Sequence, residues 1–368
     1  MRAAGRIILT LAAAVLAFGG LAAVGVGATG ADPVGYTVIG NPFTTGPCQL
    51  ARLDLVTGAL TPFGPTDQTH CTVDLAMGPG NTALYGVNLQ GTPPTPAHLI
   101  RYDPTSGAAT DLGQIGAFTL GPGPGPLDGP LTFDAAGHLF VYLDPDTAVG
   151  PCGADAAFCL FELPDPTNPA HATPLGMGNA TTVYAGLATA PAGTFYTVRL
   201  SIQTPCASGV ACTAGAATTT TTAAAAGAAP TSTTTTRPPA GAGHAAGAPG
   251  GWAPISAASP EPFISVLATV NPANGSTTDV GSGLGLGEGV ILESLDFDGS
   301  GTLWGLVEPP IATTSGTPLS TVATVNPSTG VASGDTAVTL DGTPTEVEAL
   351  ALPGAAAPAV VAVPTFTG

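Results

Sequence analysis

The sequence predicts an all-β fold, a five-bladed β-propeller of four-stranded antiparallel blades whose last blade is closed by both termini. Three observations predict it. Gly (52) and Pro (38) make up about a quarter of the 368 residues, which argues against a helical bundle and for many short strands joined by turns. A strand–turn unit returns along the chain at a regular period. The chain also opens on a strand that lacks a first partner and ends on one that lacks a second.

The repeat carries most of the prediction. Leu50-Ala-Arg-Leu-Asp-Leu-Val-Thr-Gly58 returns as Leu99-Ile-Arg-Tyr-Asp-Pro-Thr-Ser-Gly107. It returns again as Leu267-Ala-Thr-Val-Asn-Pro-Ala-Asn-Gly275 and Val322-Ala-Thr-Val-Asn-Pro-Ser-Thr-Gly330, with a degenerate copy at Leu160 to Asn168. Each copy is an alternating strand running into a turn. Asp or Asn opens the turn through its side-chain oxygen, Pro fixes φ, and Gly supplies the positive φ at the end. A second unit precedes the first: an apolar strand, a tight turn, and a strand with an aromatic near its start. Leu131-Thr-Phe into Leu139-Phe-Val-Tyr142 and Leu295-Asp-Phe into Leu303-Trp-Gly-Leu306 are examples. The two units together make a four-stranded meander.

Inner strands start near Leu75, Leu131, Leu187, Leu295 and Ala349, at spacings of about 56, 56, 108 and 54 residues. The long spacing holds a low-complexity insert, residues 213–259, so the period is about 56 throughout. Four strands at that period are the signature of a propeller blade. Tyr36-Thr-Val-Ile39 is a second strand without a first, and Val347 to Pro353 a first strand without a second; together they complete a fifth blade. The competing architecture is a pair of β-sandwiches.

These blades resemble the large superfamily of secreted bacterial propellers with YVTN-like or quinoprotein-like blades. The resemblance covers residues 35–354 apart from the insert. It implies an architecture and no particular activity, because the fold hosts many unrelated functions.

Residues 1–31 read as an export signal, with Arg2 and Arg6 before an apolar run from Ile7 to Val26 and small-residue cleavage sites ending at Ala28 or Ala31. The alternative is an uncleaved N-terminal anchor. The propeller then occupies residues 32–354, and residues 355–368 form an apolar tail too short to span a membrane. The insert is rich in Thr, Ala, Pro and Gly. It offers a core almost nothing, which predicts a disordered tether, bare or O-glycosylated.

Charge narrows the partners. The chain has no Lys, six Arg and 24 acids, a formal charge of -18. Loss of the signal removes two Arg and no acid, giving 4 − 24 = −20. Nucleic acid and anionic membrane surfaces need a basic footprint that is missing here. Six cysteines in an exported chain point to disulfides, and short spacings favour Cys152–Cys159 and Cys206–Cys212, leaving Cys48–Cys71. Zinc is the rival reading, but no Cys-x2-4-Cys pair exists.

On propeller geometry all six cysteines, the insert and the Gly-rich segments fall in loops from strand two to three or from strand four to the next strand one. Those loops share one face. Long braced loops on one face are where variable binding function sits. Asp74, Glu293 and Glu348 lie at or near the entry of their inner strands and could ring the channel mouth, with Glu288 and Glu346 just outside. They read either as a ligand rim, with calcium as the ion it could take, or as solvated loop acids. Asp296 to Gly301 resembles the start of a calcium loop but lacks the distal Glu, so a structural turn is expected. The histidines show no metal spacing, and neither G-x-S-x-G nor H-E-x-x-H occurs. No catalytic residue and no cofactor is assigned. The expectation is a secreted or envelope-associated monomer that binds an unknown extracellular protein or glycan. The alternative is a glycan-active enzyme using the channel-mouth carboxylates.

Overall fold

Residues 33–40, 47–67, 69–89, 96–119, 129–145, 149–152, 158–177, 183–202, 263–287, 290–308 and 320–354 are described by a computed structural model of the chain. The expected export signal, the insert at 213–259, the Cys206–Cys212 pair, Glu288 and the tail at 355–368 lie outside them.

Four sheets are four-stranded meanders in strict chain order. The first runs β4 (Leu75–Met77), β5 (Leu84–Asn88), β6 (His98–Tyr102), β7 (Ala109–Gln114), and the second β8 (Leu131–Phe133), β9 (Leu139–Leu143), β10 (Cys159–Leu163), β11 (Thr173–Met177). The third runs β12 (Val183–Thr189), β13 (Phe195–Ile202), β14 (Phe263–Val270), β15 (Thr277–Asp279), and the fourth β16 (Ile291–Phe297), β17 (Leu303–Glu308), β18 (Thr321–Val325), β19 (Ala332–Ala337). The chain's first three strands, β1 (Val34–Ile39), β2 (Gln49–Asp54) and β3 (Leu60–Pro62), form a fifth sheet. Five blades stand in a ring, and no α-helix occurs among the described residues. We number the β1–β3 blade one and the others two to five.

The C-terminal segment runs antiparallel beside β1. Tyr36 and Ala351 exchange two backbone hydrogen bonds of 2.7 and 2.9 Å, Ile39 bridges Val347, and the Glu348 N–H donates to the Val38 carbonyl.

The apolar pattern explains the ring. Each blade packs both faces on neighbours, so its middle strands are apolar without interruption; all five residues of β9 are buried. The outer strands alternate less and are more exposed, as in Ala332–Ala337. The buried residues form five clusters, one at each seam between adjacent blades. Val87, Leu99, Leu131 and Phe161 fill the seam between blades two and three, and Leu53, Leu306, Val322 and Leu350 that between five and one.

Disulfides join Cys48 to Cys71 and Cys152 to Cys159. The first staples blade one to the approach of β4; the second closes the loop between β9 and β10. One element was not expected from sequence, a two-stranded hairpin of β20 (Thr339–Leu340) and β21 (Thr343–Pro344) before the C-terminal strand. Its turn is Asp341-Gly342, both at positive φ (51° and 76°), the geometry that two-residue hairpin turns require.

Candidate functional site

The inner strands converge on the ring axis, and the acids expected there separate into two groups. Asp74, just before β4, is 1% exposed. The Ser294 hydroxyl donates to its Oδ1 at 2.7 Å and the Leu131 N–H to its Oδ2 at 3.2 Å. Ser294 Oγ in turn accepts the Leu350 N–H at 3.0 Å. One carboxyl therefore ties together the inner strands of four blades. Burial pushes it well above the usual carboxylate range, against the hydrogen bonds from Ser294, Leu75 and Leu131. Close packing leaves little room on the axis: a Cβ on Gly186 of β12 would stand 2.8 Å from the Leu295 nitrogen.

Blade five also serves the inner edge of the C-terminal strand, whose other edge faces β1. Asp296 Oδ2 accepts the Leu352 N–H at 2.7 Å, and Ser320 Oγ accepts the Val347 N–H at 3.1 Å. With Ser294 and Leu350, three N–H groups of an otherwise open strand edge find side-chain acceptors across the seam. Burial raises Asp296 to about 7, opposed by the N–H groups of Leu352 and Phe297.

The second group is a carboxyl cluster. Glu293, Glu308 and Glu348 place one carboxylate oxygen each within 4.8 Å of one another. Glu293 and Glu348 are 8% and 4% exposed, Glu308 is half-buried, and Glu308 Oε1 has no hydrogen-bond partner. Local geometry explains the meeting. The register of β16 shifts between Leu292 and Ser294, which makes Glu293 the extra residue of a β-bulge, a device that re-aims a side chain. Glu308 ends β17, opposite Ile291. Glu348 arrives on the C-terminal strand. Burial, then the Glu346 charge, push Glu308 up to about 7, against a hydrogen bond with Glu293. Burial, then the charges of Glu308 and Glu346, push Glu348 up to about 9, helped by its hydrogen bond to Glu346.

So the structure brings Glu293 and Glu348 together, adds Glu308, which the sequence did not single out, and gives Asp74 a separate place. Two buried carboxyls and a half-buried one at this spacing cannot all stay ionised without a neutralising partner. The described basic groups are engaged elsewhere or exposed. Arg199 pairs with Asp279, and Arg52 lies over the Phe63 ring. His70, His98 and His138 pair with Asp67, Asp111 and Glu162, and Arg101 is exposed. Asp298, in the motif resembling a calcium loop, spends its Oδ1 on the N–H groups of Ser300 and Thr302 and its Oδ2 on the Trp304 indole. It is a turn cap.

Both disulfides and the carboxyl cluster lie where second strands end and first strands begin, hence on one face of the ring. A shallow pocket opens on that side between blades one and two, lined by Gln49, Pro65, Asp67, His70 and Tyr102. Partial burial opposes it, but hydrogen bonds from His70 and Thr69 hold Asp67 down at about 2.

No family model matches the chain, and no curated protein does. Among solved structures it is similar to TolB from Acinetobacter baumannii, at 11% identity over 82% of this chain and 53% of that one, with a TM-score of 0.39. It thus spans about half of that TolB chain. A gluconolactonase from Xanthomonas campestris is similar at 15% identity over 82% of this chain and 74% of that one, TM-score 0.38. An α-L-arabinanase from Penicillium chrysogenum is similar at 11% identity over 79% and 75%, TM-score 0.38. These neighbours are β-propellers with different activities, and likeness at this level carries no argument about activity.

Proposed function

We propose that the protein is an exported binding module that meets an extracellular protein or glycan through its loop-bearing face. The observation that carries this reading is the gathering of both disulfides, Cys48–Cys71 and Cys152–Cys159, on that one face. Loops held by crosslinks on a rigid ring lose little entropy on binding, which favours recognition. Two described disulfides fit an oxidising compartment, and no helix among the described residues is long and apolar enough to cross a membrane.

The glycan-active alternative receives less support. The carboxylate oxygens lie within 4.8 Å of one another, whereas paired glycosidase carboxyls stand about 5–10 Å apart around a bound sugar.

A glycan array probed with the exported chain, with and without calcium, tests the proposal. Retention should be lost in Thr66→Arg or Pro151→Arg, both exposed on the loop face, and kept in Val56→Arg on the opposite face. Cleavage of arrayed glycan by the wild type, abolished in Glu308→Gln, would overturn it in favour of an enzyme.

A further inference from the structure

The turn between β14 and β15 in blade four departs from its counterparts at one residue. In blades one, two and five the residue before the closing glycine is Thr57, Ser106 or Thr329. Each hydroxyl accepts the N–H two residues on, at 3.4 Å. In blade four that residue is Asn274, whose Oδ1 accepts the Ser276 N–H at 3.0 Å. The local task is the same, but the side chain now carries an amide carbon, Cγ, that can close a five-membered ring on the next backbone nitrogen. Among the described residues no other asparagine is so placed. Asn168, Asn271 and Asn326 each precede Pro, which has no N–H to lose. Asn88 is buried, and Asn81 precedes the β-branched Thr82. Asn274 is exposed and precedes Gly275, which has no side chain to hinder the approach.

Gly275 itself is buried and held at both ends. Its N–H donates to the Asn271 carbonyl at 2.9 Å, and its carbonyl accepts the Tyr142 hydroxyl of blade three at 3.1 Å. The Asn274 carbonyl abuts blade three as well, since a Cβ on Gly176 of β11 would stand 2.1 Å from it. The turn is therefore seated in the seam between blades three and four.

We propose that Asn274 is a site of spontaneous deamidation, and that its isoaspartyl product unseats this turn from blade three. The Gly275 nitrogen gives its proton to hydroxide and attacks the Asn274 Cγ. The bond from Cγ to the side-chain nitrogen breaks, and ammonia leaves with a proton taken from water. Water then opens the cyclic imide. Opening at the side-chain carbonyl leaves Asp; opening at the backbone carbonyl leaves a main chain routed through Cβ and Cγ, one carbon longer. The Gly275 N–H is free for this chemistry only when the turn opens, so the fold slows the reaction without stopping it. An aspartyl product keeps the backbone path and the acceptor oxygen, and the turn stays seated. An isoaspartyl product displaces Gly275, and the bonds to Asn271 and Tyr142 fall out of register.

Peptide mapping of the full chain, aged in mildly alkaline buffer with and without denaturant, reads the reaction. The native chain should yield both aspartyl and isoaspartyl forms at residue 274, about tenfold or more slowly than the denatured one. Hydrogen exchange of the aged native chain should then show two populations at residues 271–276 and in β11, one less protected by about tenfold or more. Asn274→Asp should show the protected population alone. Asn274→Ser, which places the residue of blade two in blade four, should age without a second population. An aged native chain with Asn274 intact, or equal rates with and without denaturant, would overturn the proposal. So would an isoaspartyl form as protected in β11 as the fresh protein, or a second population in aged Asn274→Ser.

Discussion

Asp54, Asp103, Asp165, Asn271 and Asn326 occupy the same place in five blades, and each accepts the N–H two residues on, at 2.7–3.0 Å. The glycine that ends four of these turns has φ between 69° and 73°. Conformation is half of its role; clearance is the other half. A Cβ on Gly107 would stand 2.8 Å from the Gly64 Cα, and on Gly330 it would run into the Val280 carbonyl. Each turn presses on the outer strand of the blade before it. Blade three has Pro169 at this position and meets its neighbour through that residue's carbonyl, which accepts the Gly116 N–H at 3.0 Å. Gly330→Ala should therefore lose about 2–4 kcal/mol, strain plus clash. Gly193→Ala, also at positive φ (84°) but with nothing within 4 Å, should lose only about 1 kcal/mol. Urea unfolding of both variants checks the difference, and equal losses would show that clearance is irrelevant. These turns were legible in the sequence because Asx, Pro and Gly act locally. Glu308 was not: its meeting with Glu293 and Glu348 needs a bulge in one strand and a pairing that spans the ring. The available signal was faint, one acid ending the apolar run Leu303–Val307.

At the scale of elements, β13 and β14 are the most extended pair, in register from Phe195↔Val270 out to Ile202↔Phe263. The chain between them thus leaves and returns at directly opposed residues, as in any hairpin. Length added at such a point costs little, since doubling a loop adds only about 0.6 kcal/mol of closure entropy. Replacing residues 213–259 with a short Gly-Ser turn should leave the melting temperature within about 2 °C of the wild type. A drop of several degrees would mean that the segment contributes to the core. The sequence located this hairpin by period alone, from the doubled spacing between Leu187 and Leu295. It did not yield β20 and β21, although Asp341-Gly342 is the strongest two-residue turn signal there is. Strands of two residues carry no periodicity to notice.

For the whole molecule, the five seam clusters have equal standing only if the ring is continuous, and the C-terminal strand belongs to two of them. Ala349 and Ala351 enter the seam between blades one and two, while Val347, Leu350 and Leu352 enter that between five and one. Buried Val and Leu side chains contribute about 1.5–3 kcal/mol each, so the strand accounts for roughly 5–9 kcal/mol before its hydrogen bonds are counted. That is comparable to the total stability of a typical domain, about 5–15 kcal/mol. A chain ending before Glu346 should therefore fail as a unit: no cooperative thermal transition, and protease cleavage in every blade rather than in blade one alone. A chain ending at Gly354 should unfold like the full-length protein, which separates loss of the strand from loss of the tail. Glu348 leaves with the strand, and burial holds its carboxyl up at about 9, so the shorter chain should also lack the stability this group adds below pH about 4.5 and loses as pH rises through about 9. A sharp transition in the chain that ends before Glu346, at a temperature near that of the intact protein, would show that blades two to five support one another without the strand, and that the ring is not closed by its termini.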